Sequence, residues 1–479
     1  MHLISIFNYC EVFGLFNPNY EMFKSMIMGK KIAVLGLGIS NIPAIKFLSE
    51  RGAFIIGCDK KEAKKFDKNV LDAIEEFSTE IHLGDDYLDY LDNADIIIKS
   101  PGIKVSEPKI QAAISAGKTV TSEIEIFMSL CPCKVIGVTG SDGKTTTTTL
   151  IYEMLKREGY RTHVGGNIGK PLLSELENIC DEDIVVLELS SFQLQTMHLS
   201  PDISVVTNIS PNHLDYHKDM QEYTDAKANI FNFHNENSKL IVNADCDITN
   251  NFKNSYKYSL DLFSRYGITD GAYLEDDYIC YRGKKILDTA RIKIKGWHNV
   301  ENYMAAICAL DGIVSTETIN HVAFNFGGVE HRMEFVRSLD GVDFYNDSIG
   351  SSPTRTIAGL NAQPPGDIVL IAGGYDKKLS FGTLADKIVD RVSVLVLMGA
   401  TAEQIDSEVK KASSGKRNVP VVMSDSMQSA VKSAFALAKG LCKGENKVSV
   451  ILSPACASFD MYKNFEERGN DFKNIVNSL

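Results

Sequence analysis

At 479 residues the chain is too long for one hydrophobic core, so two to three domains are expected. Its hydrophobic fraction of 44% and charged fraction of 23% are ordinary for a soluble globular protein, and a formal net charge of −12 excludes a general nucleic-acid binder, which carries a basic face. No apolar run approaches the ~18 residues of a membrane-spanning helix. The ten cysteines form no disulfide framework, which predicts reduced thiols and a cytoplasmic protein. Cys131-Pro132-Cys133 lacks the second pair that a zinc site needs.

Residues 1–27 have neither a basic start nor a small-residue cleavage site and do not form a signal peptide. They are expected to be an extension, with Met28 as a natural start. Lys31–Leu35 reads as a strand, Ile42–Arg51 as an amphipathic helix, and Phe54–Cys58 and Ile96–Lys99 as further strands. Strands alternating with helices predict a parallel, Rossmann-like domain over residues 28–132. Gly36 and Gly38 after the first strand let the backbone approach a diphosphate, and Asp59 ends the second strand where a sugar or ring binds. Asn41 stands where the dinucleotide fingerprint has its third glycine, so a nucleotide diphosphate other than a nicotinamide is expected.

A second α/β domain is expected over residues 133–326. Val135–Thr139 reads as a buried strand, Gly140-Ser141-Asp142-Gly143 as a tight loop, and Lys144-Thr145-Thr146 as the start of a helix. That layout is a phosphate loop: backbone N–H groups and a helix N-terminus face the anion, and the lysine neutralises the outer phosphates. Val138 occupies the position of the first glycine in the longer motif, so the loop is a compressed variety. Glu188 ends the strand Ile184–Leu189, where a carboxylate can hold Mg²⁺ facing the loop, with Ser190 and Ser191 lining the same cleft. After the strand Ile203–Asn208 come His213 and His217. The flanking Pro and Asn argue for a loop and against zinc, and leave His213 on the magnesium or phosphate side. By residue type and helical spacing alone, Lys227 reads as a solvated helical lysine. The strands Asp367–Ala372, Val392–Met398 and Val448–Leu452 predict a third, Rossmann-like domain over residues 327–479. The fold class expected is therefore α/β in three domains: Rossmann-like, P-loop ATPase-like and Rossmann-like.

GSDGKTT (140–146), GGNIGKP (165–171), LELSSFQL (187–194), NHLDYH (212–217), AKANIF (226–231), HNVENYMAA (298–306), EHRMEFV (330–336), NDS (346–348) and SPACASFDMYKNFEERGNDF (453–472) together resemble the Mur ligase family. The resemblance runs in order from Lys30 through all three domains. Its final block is similar to the branch that adds D-glutamate, and separates the chain from folylpolyglutamate synthases.

The resemblance implies an ATP-dependent amide ligase working through an acyl phosphate, with Mg²⁺. It assigns Gly140, Ser141, Asp142, Gly143, Lys144, Thr145 and Thr146 to the ATP phosphates. His298, Asn299 and Asn302 fall on the adenine side, and Arg332 and Asp347 serve as nucleotide contacts from the third domain. Thr145, Glu188, His213 and Lys227 serve the metal, Lys227 as a carbamate derived from CO₂, and Lys144, Glu188, His213 and Lys227 are the catalytic set. Gly38, Ile39, Ser40 and Asp59 hold the UDP group and Asn167 the muramoyl side. Ser190, Ser351, Lys377, Ser458, Phe459 and Phe465 complete the substrate sites. The partners implied are UDP-N-acetylmuramoyl-L-alanine, D-glutamate and ATP, handled by a monomer whose third domain closes on the second. One departure stands out: Ile349 replaces a lysine of the family's NDSKATN pattern and removes a positive charge. L-Glutamate or another amino acid, a folylpolyglutamate synthase-like ligase, and a non-ligating ATP-dependent switch stay open at this level.

Overall fold

A computed structural model of the chain describes residues 18–479 apart from 39–40, 214–215, 364–365, 377–378 and 443–447. Among the described residues the strands form three sheets. The first comprises β1 (Lys31–Leu35), β2 (Phe54–Asp59), β3 (Glu80–Leu83), β4 (Ile96–Lys99) and β5 (Thr119–Thr121), in the order β3-β2-β1-β4-β5. All its pairings are parallel. KIAVL and IIIK are continuous apolar runs because helices cover both faces of a parallel sheet. Ile32 and Val34 enter one core, and Ala33 and Leu35 the other. β3 and β5 escape a reading of the sequence because they are short and only half-buried.

The second sheet comprises β6 (Lys134–Thr139), β7 (Thr162–Gly166), β8 (Ile184–Glu188), β9 (Ile203–Val206), β10 (Lys239–Asn243), β11 (Ser259–Ser264), β12 (Ala272–Glu275), β13 (Tyr278–Tyr281) and β14 (Lys284–Asp288). Its order is β14-β13-β12-β11-β10-β9-β6-β8-β7. β13 and β14 run antiparallel at one edge. The β12–β13 turn places Asp276 and Asp277 at positive φ, the geometry of a tight hairpin that matches strand twist. The phosphate-loop strand β6 lies between β8 and β9, so the loops after these three strands share one edge.

The third sheet comprises β15 (Glu334–Leu339), β16 (Val342–Asn346), β17 (Asp367–Ala372), β18 (Val394–Met398), β19 (Val421–Ser424) and β20 (Val448–Leu452), ordered β15-β16-β20-β17-β18-β19. Asp340-Gly341, both at positive φ, turn the antiparallel β15–β16 hairpin. The chain divides into two compact units, Met1–Asn325 with the first two sheets and Phe326–Leu479 with the third.

Residues 18–27, expected within an extension, form the helix Pro18–Ile27, whose Phe23 and Ile27 are buried in the same core as β1. The Tyr20 hydroxyl donates to Glu177 Oε1 at 2.7 Å, and the Arg51 guanidinium pairs with the same carboxylate. Arg51 also stacks on Phe47, 3.6 Å from its ring centroid. The helix is thus a built part of the first unit. No helix among the described residues is long and apolar enough to cross a membrane.

Candidate active site

The glycine loop follows β6 and opens the helix Lys144–Glu158. Gly140 has φ +150°, and a Cβ there would lie 1.9 Å from Thr207 Oγ1. Gly143 caps the helix at φ +79°, with its Cβ position 2.4 Å from Asn302 Oδ1. A side chain fits at neither position. The segment after β9 braces the loop from beneath. Ser141 N–H donates to Asn208 O at 2.8 Å, Asp142 N–H donates to Asn208 Oδ1 at 2.9 Å, and Thr207 Oγ1 donates to Asp142 O at 2.5 Å. The Ser141 hydroxyl meets Tyr223 OH at 3.0 Å. A helix N-terminus carrying Thr145 and Thr146 therefore stands behind a rigid turn, the arrangement that binds phosphate. The Lys144 ammonium lies across this turn, donating to Gly140 O and Ser141 O at 2.9 Å each.

Lys227 is no solvated helical lysine. It lies in the helix Met220–Ala228, is 1% exposed, and donates to Gly140 O at 2.8 Å and Thr139 Oγ1 at 3.3 Å. Burial first, and then the like charge of Lys144, holds its pKa well below the ordinary lysine value, while Glu188 and Asp142 oppose that shift. Tyr223, one helical turn earlier, sets its ring 4.8 Å from the Lys227 ammonium. The sequence reading missed Tyr223, although the i, i+4 spacing to Lys227 was there to find it.

Glu188, at the end of β8, is fully buried. Asn167 Nδ2 donates to its Oε1 at 2.7 Å, so Asn167, expected on the muramoyl side, braces this carboxylate. Its Oε2 is buried and has no hydrogen-bond partner among the described residues. Gly166, at φ +92°, lets the GGNIG loop press against the end of β8, where a Cβ would lie 2.2 Å from Glu188 O.

Ser190, expected in the substrate site, is a helix cap. Its hydroxyl donates to Gln193 Oε1 and accepts the Gln193 N–H, a closed capping box. Ser191 Oγ pairs with His217 Nε2 at 2.9 Å. His217 is buried, stacks on Phe192, and has its pKa lowered by desolvation. His213 is held in the left-handed region at φ +54° and packs its ring edge-on to Phe192 at 4.9 Å. Phe192 thus separates a structural histidine from a loop histidine.

On the side of the helix Trp297–Ala309, Asn302 accepts from Thr147 Oγ1 at 3.2 Å and donates to Asn299 Oδ1 at 3.2 Å, while Asn299 Nδ2 donates to Lys295 O. Asn302 therefore couples this helix to the glycine loop. In the first sheet, Asp59 Oδ2 accepts the Leu37 N–H at 2.6 Å and Oδ1 the Lys61 N–H at 2.7 Å. Asp59 thereby shapes the loop containing Gly38. Asn41 Nδ2 donates to Leu35 O and Gly36 O, which gives this residue a turn-holding role where a third glycine was absent. Ile39, Ser40 and Lys377 lie outside the described residues.

In the second unit, Asp347 follows β16 and is buried. It accepts from Ser453 Oγ at 2.6 Å and from Met333 N–H at 3.3 Å, and burial raises its pKa to about 6. Arg332 lies close enough for its charge to oppose that shift. Arg468, buried and unassigned from the sequence, donates to Ser348 O, Cys456 O and Ala457 O and to Ser348 Oγ at 2.8–3.1 Å. It clamps the NDS loop to the SPACASF loop, which holds buried Ser458. Ser351 lies beyond the NDS loop, past Ile349 and Gly350, with its N–H bonded to Ile349 O. Phe459 is 65% exposed beside Tyr375, and so is no core residue, whereas Phe465 is half-buried against His331.

Among the described residues no three His, Cys, Asp or Glu side chains cluster as a metal cage. Magnesium needs none, since it binds through one or two carboxylates, substrate phosphates and water. The unpartnered Glu188 oxygen fits that requirement.

The fold and the loop define a P-loop nucleotide-binding protein with a buried lysine and a buried carboxylate beside the loop. Family models match in chain order: the MurD-like N-terminal domain of Mur ligases over residues 30–122, the Mur ligase middle domain over 138–310, and the Mur ligase glutamate ligase domain over 331–455. The chain belongs to the Mur ligase family. A relative from Clostridium botulinum named UDP-N-acetylmuramoylalanine--D-glutamate ligase is 50% identical over 464 residues, 96% of this chain and 99% of its own. Two solved structures share the fold. The MurC UDP-N-acetylmuramate-alanine ligase of Thermotoga maritima has a TM-score of 0.52 at 18% identity, covering 94% of this chain and 99% of that one. MurF of the same organism, solved with ADP, has a TM-score of 0.51 at 17% identity, covering 95% and 97%.

Proposed function

We propose that this protein uses ATP to join D-glutamate to the L-alanine carboxylate of UDP-N-acetylmuramoyl-L-alanine, in the cytoplasmic assembly of a peptidoglycan precursor. The convergence of Lys144, Lys227 and Glu188 on one glycine loop carries the chemistry. The name borne by the half-identical, full-length relative carries the choice of substrates.

A carboxylate oxygen is a poor leaving group. Transfer of the γ-phosphoryl group of ATP to that oxygen yields an acyl phosphate and ADP. The amine then attacks the acyl carbon, and the tetrahedral centre collapses to amide and phosphate. Two anions must first approach each other, so positive charge at the phosphates governs the step. Lys144 supplies it, together with the helix N-terminus at Thr145 and Thr146. Magnesium, when bound, would screen the same charge. Thr145, Glu188, His213 and Lys227 would hold it, with Asn167 fixing the orientation of the Glu188 carboxylate. Lys227 is suited to carry CO₂: burial favours its neutral amine, which adds CO₂ and releases a proton, and the carbamate oxygens are hard anionic ligands that an ammonium cannot provide. Asn299 and Asn302 serve the adenine side, and Arg332 and Asp347 the nucleotide. Ser351, Lys377, Ser458, Phe459 and Phe465 serve the amino acid, with Ile349 leaving one charge fewer there.

Phosphate release from ATP with UDP-N-acetylmuramoyl-L-alanine tests the proposal. Release that requires D-glutamate supports it. Release with L-glutamate alone keeps the ligase and moves the substrate. Release indifferent to any amino acid points to the switch reading, and stimulation by a folate to the folylpolyglutamate synthase-like one.

A further inference from the structure

The chain passes from the first sheet to the second through Cys131-Pro132-Cys133, between the helix Glu123–Leu130 and β6. The proposed ligation gives this segment no role. Proline fixes its own φ and confines the residue before it to extended backbone, and Cys131 sits at φ −60°, ψ 122°. Extended backbone points residues i and i+2 to the same side. The two thiols accordingly meet, Sγ to Sγ at 3.6 Å. Cys131 is half-buried and Cys133 is buried. Cys246 and Cys442, the other half-buried cysteines among the described residues, lie against the backbone oxygens of Ile209 and Gly341 instead.

The pair is polarised. The hydrogen bond from the Cys133 thiol holds the Cys131 pKa below the ordinary thiol value. A backbone hydrogen bond with Cys133 assists it, while burial and the charges of Asp202 and Asp183 oppose it. The same thiol–thiol bond, and then burial, raise the pKa of Cys133. One sulfur is therefore suited to act as a nucleophile, and its neighbour stays protonated until a partner forms beside it.

We propose that Cys131 and Cys133 form a reversible dithiol–disulfide site oxidised by hydroperoxides, with Cys131 attacking and Cys133 resolving. The Cys131 thiolate attacks one oxygen of hydrogen peroxide. An S–O bond forms, the O–O bond breaks, and hydroxide leaves and takes up a proton as water. Cys131 is then a sulfenic acid, which condenses with a thiol. The Cys133 sulfur gives up its proton and attacks the Cys131 sulfur. The S–S bond forms, the S–O bond breaks, and hydroxide leaves with that proton as a second water. Two thiols lose two electrons, and one peroxide is reduced to two waters. A disulfide bond is about 2 Å long, so rotation of the side chains closes the gap. A ring closed through Pro132 alone is strained, and strained disulfides are the readily reduced ones. The resolving thiol also protects Cys131. It consumes the sulfenic acid before a second peroxide carries it to sulfinic acid, which thiols do not reverse.

The test is peptide mass mapping of the reduced full-length protein after hydrogen peroxide and alkylation of free thiols, with Cys131→Ser and Cys133→Ser variants and thermal melts alongside. Exposed Cys180 serves as the internal reference. In the parent, the peptide holding both cysteines should lose two hydrogens and escape alkylation, and dithiothreitol should restore both thiols. In Cys133→Ser, Cys131 should advance to sulfinic acid, gaining two oxygens that dithiothreitol does not remove. In Cys131→Ser, Cys133 should stay a free thiol. A parent whose Cys131 and Cys133 are both alkylated at a peroxide dose that oxidises Cys180 overturns the proposal, and this result needs no variant to fold. Full recovery of Cys131 in peroxide-treated Cys133→Ser overturns the resolving role. Oxidation of Cys133 in Cys131→Ser overturns the order of attack.

Discussion

Lys227 and Asp347 are buried ionisable groups whose pKa values are displaced mainly by burial, and each shift carries a measurable consequence. Lys227→Ala removes the amine that lies on Gly140 O and Thr139 Oγ1. We expect ligation to fall by about two orders of magnitude or more, the scale of losing one preorganised electrostatic contact, with unchanged circular dichroism. Short carboxylic acids should restore part of the activity, because they return anionic oxygens to the gap. Failure of every such acid would count against the carbamate. For Asp347 the folded pKa, about 6, lies above its unfolded value. The stabilisation it gives is complete below the unfolded pKa, near 4, and is lost as pH rises through 6. Relative to Asp347→Asn, the parent should lose on the order of 3 kcal/mol of local stability between about pH 4 and pH 7. Hydrogen exchange of the β16 and β20 amides reads this directly, and parallel pH profiles for the two proteins would refute it.

At the scale of elements, the glycine loop and the short helix after β8 show how backbone geometry divides structural roles from chemical ones. Ser190 sits within a motif that reads as functional, yet its hydroxyl closes a capping box with Gln193. Ser190→Ala should therefore cost about 1 kcal/mol of stability and leave the KM for the amino acid unchanged. A large KM effect at full stability would return Ser190 to the substrate site. Gly143→Ala is expected to do the reverse. A Cβ there meets Asn302 Oδ1 at 2.4 Å in a backbone of φ +79°, so the loop must deform. ATP affinity should drop about tenfold or more, as measured by calorimetry, whereas a binding constant within twofold of the parent would mean the loop tolerates the shift. Arg468 is the corresponding clamp of the second unit, since its four donations hold the NDS and SPACASF loops together.

At the scale of the whole molecule, the helix Pro18–Ile27 belongs to the core of the first unit. Phe23→Ala should destabilise that unit by about 3 kcal/mol, the usual cost of emptying a buried phenylalanine site, and calorimetry should show a single early-melting component. An unchanged melt would mean the helix is an accessory after all. Strand runs such as KIAVL, DIVLIA and VSVIL, and the glycine loop before Lys144, are legible in the sequence because a buried parallel strand has no polar positions and a phosphate loop has fixed spacing. The short edge strands β3, β5 and β19, and the hairpins β12–β14, are not, because half-exposed segments carry little hydrophobic signal. The core role of residues 18–27 was hidden for the same reason: its two anchors, Phe23 and Ile27, mean nothing until the surface they cover is known.

The sequence by itself determined the order of α/β domains, the nucleotide loop and the resemblance to an amide ligase family, because these are encoded in local spacing. Only the tertiary structure decided which polar residues are buried and what each is bonded to. It buried Lys227 against the loop, turned Ser190 into a cap and Asn167 into a brace for Glu188. Burial and partnering arise from contacts between segments distant in the chain, and these set the charge state and orientation on which the chemistry depends.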